Sequence, residues 1–119
     1  MTRVLGLIVI SAVLGGPPKL KPHSLLLRGT PTGHGRLENQ INANFFLTKH
    51  TSIRRVHVTI AGHRASVKYV GAKSNFVVAR LKSSIKLRYS RRYAVKIRAC
   101  NSSGCSSTTR HALLPKPSL

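Results

Sequence analysis

The feature that most constrains the fold is an alternating run near the C-terminus that ends in a turn. Its apolar residues are Tyr93, Val95, Ile97 and Ala99. A two-residue period of this kind predicts a strand with one buried face. The segment 101–104, Asn-Ser-Ser-Gly, then supplies turn residues, and residues 106–109 can return as the partner strand. The sequence therefore predicts a β-hairpin.

Two cysteines, Cys100 and Cys105, flank this turn. In an oxidising compartment we expect them to bond across the hairpin, provided that their Cα atoms lie within about 7 Å. The loop they close is small, so the bridge would clamp the turn more than it would stabilise the whole fold. A zinc site is the weaker interpretation, because this pair supplies only two of four ligands and the six histidines show no ligand spacing.

The turn also contains the chain's one acceptor triplet for N-glycosylation, Asn101-Ser102-Ser103. If the protein passes through a eukaryotic secretory pathway, the sequence predicts a glycan on Asn101. The alternative is that the asparagine simply favours the turn.

The same run resembles the penultimate strand of a fibronectin type III domain, whose usual pattern is Tyr-x-Val-x-Val-x-Ala-x-Asn-x-x-Gly-x-Ser. The matching residues are Tyr93, Val95, Ala99, Asn101, Gly104 and Ser106, with Ile97 in place of the second valine. Leu87 lies six residues before Tyr93, as does the leucine of that family's tyrosine corner, Leu-x-Pro-x-Thr-x-Tyr. The resemblance covers about residues 85–109. It implies an all-β, immunoglobulin-like or fibronectin type III-like β-sandwich of about seven short strands, acting as a binding or scaffolding module.

Other positions depart from that family. The chain has no tryptophan, so we expect Phe45 or Phe46 to replace the family's usual core tryptophan. Tyr89 and Arg91 stand where proline and threonine are usual in the corner.

Upstream alternation and turn residues predict the remaining strands. The predicted strands cover residues 25–27, 45–47, 56–60, 67–70 and 76–81, with a turn at Ala61-Gly62. We expect one domain over residues 17–112, followed by a proline-containing tail over 113–119.

The first sixteen residues have the composition of a signal peptide. Arg3 precedes an apolar run, Val4 to Leu14, and Gly15-Gly16 ends it. The run is too short to span a bilayer as an ordinary helix. The alternative is a buried first strand or core helix that is retained.

Charge is the second strong signal, because 21 Lys and Arg face a single acidic residue, Glu38, for a formal net charge of +20. We expect such a chain to bind polyanions. The predicted polyanion-binding residues are Lys86, Arg88, Arg91, Arg92, Lys96 and Arg98, with Arg54, Arg55, Lys68, Arg80 and Lys82 extending the surface. Alternation predicts that Lys86, Arg88, Lys96 and Arg98 lie on the solvent side of their strands.

With one carboxylate there can be no carboxylate dyad, no Asp-supported triad and no acidic magnesium site, so we expect neither catalysis nor a cofactor. The predicted function is that of a small basic secreted or surface-displayed module that contacts an acidic partner: nucleic acid, a sulfated glycan or an anionic surface. The alternative is an intracellular RNA-packing component of a ribonucleoprotein such as a ribosome.

Overall fold

The computed structural model describes residues 16–30, 40–48, 53, 55–70 and 75–116. Within them the chain forms seven antiparallel strands and no helix, which confirms the predicted all-β, immunoglobulin-like fold. The strands are β1 (Leu26–Thr30), β2 (Gln40–Phe46), β3 (Arg55–Ile60), β4 (His63–Val70), β5 (Phe76–Arg80), β6 (Arg91–Asn101) and β7 (Gly104–Leu114).

The strands pair in the order β1-β2-β5-β4-β3-β6-β7. Strand β4 joins the two halves of this order. Its first residues, 63–65, pair with β3, whereas residues 66–70 pair with β5. One strand thus passes from one sheet of the sandwich to the other, and β1 and β7 are left as the two edge strands.

The core lies between the inner faces of the two halves. Phe45 and Val77 come from β2 and β5, Val58 and Val95 come from β3 and β6, and all four are in one buried cluster. Phe45 is fully buried, while Phe46 beside it is 42% exposed. Phe45 is therefore the aromatic residue that fills the core, as period-two alternation requires of neighbours on a strand.

Two tight hairpins fix the register of the outer strands. Ala61 and Gly62 join β3 to β4 with φ of 52° and 81°, the pair of positive values that a type I′ turn needs. At the end of β6, Cys100 stands directly opposite Cys105 and is bonded to it, as the sequence predicts. Their Cα atoms are 4.0 Å apart.

Several boundaries differ from those predicted. Strand β2 begins at Gln40, because Ile41 and Ala43 alternate with asparagines whose side chains lie on its outer side. Strand β7 runs to Leu114, which is fully buried, so the domain end predicted at residue 112 is two residues short. The segment 81–90, where the alternation predicts Lys86 and Arg88 on a strand, is a connection. Exposure still alternates along residues 85–89 of it, with Ile85 and Leu87 packed against the core.

The predicted tyrosine corner is present at the start of β6. The Tyr93 hydroxyl accepts a hydrogen bond from the Arg88 amide at 2.9 Å and donates one to the Arg88 carbonyl at 3.1 Å. These bonds tie the connection after β5 to the strand that follows it. Tyr89, at the position usually held by proline, instead places its ring against Gly29, where an added Cβ would lie 2.7 Å from the Tyr89 Cε1 atom.

Replacing Tyr93 by Phe should lower the free energy of unfolding by about 1–3 kcal/mol, because the Arg88 amide and carbonyl lose their side-chain partner. The measurement is urea denaturation. Tyr89→Phe is the matched control, since the Tyr89 hydroxyl has no hydrogen bond within the described part of the chain. Equal losses from the two substitutions would show that the corner bonds do not stabilise the fold.

Candidate polyanion-binding face

Strands β3 and β6 and the first residues of β4 carry most of their cations on one outer surface. Directly opposite residues of antiparallel strands share a face. Thr59 pairs with both Arg64 and Lys96, and His57 pairs with Arg98. We call the surface formed by these strands the basic face; its ionisable residues are Arg55, His57, Arg64, Lys96 and Arg98, all of them exposed.

The spacing of these groups follows from strand geometry. Neighbouring strands lie about 4.8 Å apart, and residues two apart on a strand are separated by about 7 Å. Lys96 and Arg98 are two apart on β6, and His57 is opposite Arg98. Each cation is thus within about one Debye length, ~10 Å at 0.1 M salt, of the next. The electrostatic potentials of these cations therefore add at a ligand bound to the basic face.

Little within the protein neutralises this surface. Glu38 is the single acidic side chain of the sequence and lies outside the described residues, so no ion pair to Asp or Glu forms among those described. One polar contact orders the face: the Arg64 Nη2 atom lies 3.4 Å from the His57 Nδ1 atom. Because a guanidinium only donates, His57 accepts through Nδ1.

The six residues predicted from the sequence do not form one face. Lys96 and Arg98 lie on the basic face. Lys86 and Arg88 lie on the 81–90 connection. Arg91 and Arg92 occupy successive positions at the start of β6, so Arg92, four residues before Lys96, shares the outer side of this strand with Lys96 and Arg98, and Arg91 lies on the other side.

The predicted extension is likewise divided. Arg55 lies on the basic face, and Arg54 lies outside the described residues. Lys68 and Arg80 pair with Val78 and Ser66 across β4 and β5, which places them on the outer side of the other sheet. Lys82 is exposed on the connection after β5. Sequence reasoning missed His57 and Arg64, although the Ala61-Gly62 turn fixes the β3–β4 register that places them.

The β6–β7 turn packs against the start of the described chain. Asn101 is 7% exposed; its Nδ2 atom donates to the Gly16 carbonyl at 3.1 Å, and its Oδ1 atom accepts from the Ser103 amide at 2.8 Å. The Ser106 hydroxyl donates to the Pro18 carbonyl. Glycosylation of Asn101 stays a prediction, and a glycan on Nδ2 would require the Gly16 carbonyl to move away.

Neither a metal-binding cluster nor a membrane-spanning helix is found within the described ranges. These ranges contain no group of three or more His, Cys, Asp or Glu side chains arranged to hold a metal ion. They also contain no helix long and apolar enough to cross a membrane.

Comparison with known proteins identifies no family for the chain. No protein-family model and no curated protein sequence matches the chain. Among solved structures, the chain is similar to the crystal structure of the titin M3 domain at a TM-score of 0.45 and 10% identity, over 84% of this chain and 98% of that one. The assignment to the immunoglobulin-like and fibronectin type III-like class therefore rests on the strand order and the tyrosine corner described above.

Proposed function

We propose that the protein is a secreted or surface-displayed module of fibronectin type III type that binds a dense polyanion, nucleic acid or sulfated glycan, through the basic face. The observation that carries the proposal is the cross-strand array of Arg55, Arg64, Lys96 and Arg98 with no acidic side chain among the described residues. Solvated protein surfaces normally mix both signs of charge.

The physical basis is counterion release. Each phosphate or sulfate that a Lys or Arg neutralises frees a condensed counterion, and this favours association without any sequence readout. Arginine also forms two parallel hydrogen bonds to such a group. Because the cations stand on paired strands, their spacing is set before binding, which lowers the ordering cost of the complex.

The disulfide supports the extracellular part of the proposal. Bonds such as Cys100–Cys105 persist mainly in oxidising compartments. The predicted signal peptide, residues 1–16, points the same way, although all of it except Gly16 lies outside the described residues.

The test compares two variants that lose the same charge. The face variant carries Arg55→Gln, Arg64→Gln, Lys96→Gln and Arg98→Gln. The matched control carries Lys82→Gln, Lys86→Gln, Arg88→Gln and Arg91→Gln. We expect wild type to bind heparin and duplex DNA with a steep salt dependence. On duplex DNA, the slope should fall by about 0.9 for each phosphate that a variant no longer neutralises.

Only the face variant should show a large reduction in slope, because the control residues lie on the 81–90 connection and on the other side of β6. Thermal melts of both variants check that the fold is intact. Equal reductions in the two variants would show that net charge alone drives binding. An absence of binding at low salt in wild type would contradict the proposal.

A further inference from the structure

A groove lies between the edge strands β1 and β7, beyond the end of the basic face at Arg92. Its apolar lining includes Leu20, Leu25, Leu26, Ala112 and Leu113. Leu26 is 59% exposed and Leu113 is 45% exposed, so two of the three large apolar side chains most exposed among the described residues meet here. We call this feature the edge groove.

Within the described part of the chain, the backbone of β7 has hydrogen-bonding groups along the edge groove that no other strand pairs with. A Cα separation of 4.0 Å marks Cys100 and Cys105 as a non-hydrogen-bonded pair, since such pairs lie near 4.5 Å and bonded pairs near 5.5 Å. Pair types alternate along the ladder, so Ala94–His111 and Arg92–Leu113 are also non-hydrogen-bonded. The N–H and C=O groups of His111 and Leu113 therefore point away from β6.

Two other bonds agree with this alternation. The Leu114 carbonyl, which should face β6, accepts from the Ser90 amide at 2.7 Å. The Ala94 carbonyl, which should face away from β7, accepts from the Ala61 amide at 2.9 Å. Since β7 pairs with β6 alone among the described residues, the outward groups of His111 and Leu113 form an open strand edge along the edge groove within that part of the chain.

The charges around the edge groove select the kind of partner. Arg28, Arg92, Arg110 and His111 line it alongside the apolar residues, and the described residues contain no acidic side chain to oppose them. A second copy of the chain would bring another +20 charges to the same place. An occupant must therefore be acidic, must carry apolar side chains for Leu26 and Leu113, and must be extended to satisfy the β7 edge.

We propose that the edge groove binds an extended acidic peptide segment with interspersed apolar residues, which adds as a strand to β7. Main-chain bonds to His111 and Leu113 supply affinity, and the alternating side chains of the segment supply selectivity. This site differs from the basic face in place and in chemistry, because it needs a peptide backbone and apolar side chains as well as negative charge.

The test titrates a fluorescent peptide of alternating Glu and Val into the full chain at physiological ionic strength and follows anisotropy. We expect saturable binding of the Glu-Val peptide. Polyglutamate of the same length and a backbone N-methylated Glu-Val peptide should each bind with an affinity lower by about tenfold or more. Amide hydrogen exchange should slow at His111 and Leu113 when the Glu-Val peptide binds. Equal binding of polyglutamate, or no added protection at these two amides, would overturn the proposal.

A pair of variants localises the site. Leu113→Ser should lower the affinity for the Glu-Val peptide by about fivefold or more and leave the affinity for heparin unchanged. Phe46→Ser is the matched control, since Phe46 is 42% exposed and lies on the other sheet, and it should leave peptide affinity unchanged. A peptide affinity that is insensitive to Leu113→Ser contradicts the proposal. Heparin binding reports on the basic face independently, so the two proposals can fail separately.

Discussion

Replacing Phe45 by Ala should lower the free energy of unfolding by about 3–5 kcal/mol. Phe45 is the largest fully buried side chain among the described residues, and it lies on β2 opposite Val77 in the core between the sheets. The chain has no tryptophan to share this role, so the substitution leaves a cavity that the aliphatic neighbours can fill only in part. Against a typical domain stability of about 5–15 kcal/mol, the loss is large.

Phe46→Ala is the control for this experiment because it removes the same atoms one residue further along the strand. Phe46 is 42% exposed and contacts the Phe76 ring at a centroid distance of 4.8 Å. Its replacement should cost less, about 1 kcal/mol, mostly because the ring pair is removed. Chemical denaturation measures both changes. A larger loss from Phe46→Ala would mean that the inner and outer sides of β2 are assigned the wrong way round, and equal losses would contradict the greater burial of Phe45.

The fold was predictable where local signals agreed with one another. The alternation in β6 placed Val95, Ile97 and Ala99 in the core, and the turn that follows placed Cys100 opposite Cys105. Tyr93 was predictable as a corner residue because its spacing from Leu87 matches a known pattern. In each case the residues that carry the signal lie close together in the chain.

The site was less predictable because it depends on pairing between distant segments. Lys86 and Lys96 carry the same charge and similar flanking residues, yet only Lys96 lies on a strand. The pairing of His57 with Arg98 joins strands that are far apart in the sequence. The transfer of β4 between sheets, which pairs Arg64 with β3 and Lys68 with β5, also has no local sequence signal.

The second large effect concerns the segment that precedes β1. A chain that begins at Lys19 should be less stable than one that begins at Gly16 by roughly 2–4 kcal/mol. The shorter chain loses Pro18, which is fully buried, and leaves the amide of Asn101 and the hydroxyl of Ser106 without the Gly16 and Pro18 carbonyls. Thermal melts of the two chains measure the difference.

The chain that begins at Gly16 also tests the role of the residues before it. Residues 1–15 are all but the last residue of the signal peptide that we propose. If that proposal is right, this chain, which contains every described strand, should melt like the full chain. Cleavage after residue 16, the boundary that the sequence predicts, would remove the Gly16 carbonyl and cost the Asn101 amide its acceptor, about 1–3 kcal/mol. A chain that begins at Gly16 keeps that bond, so it should be more stable than a chain that begins at Pro17. An unfolded chain from Gly16 would show instead that the apolar run is structural, and it would favour the intracellular RNA-packing alternative.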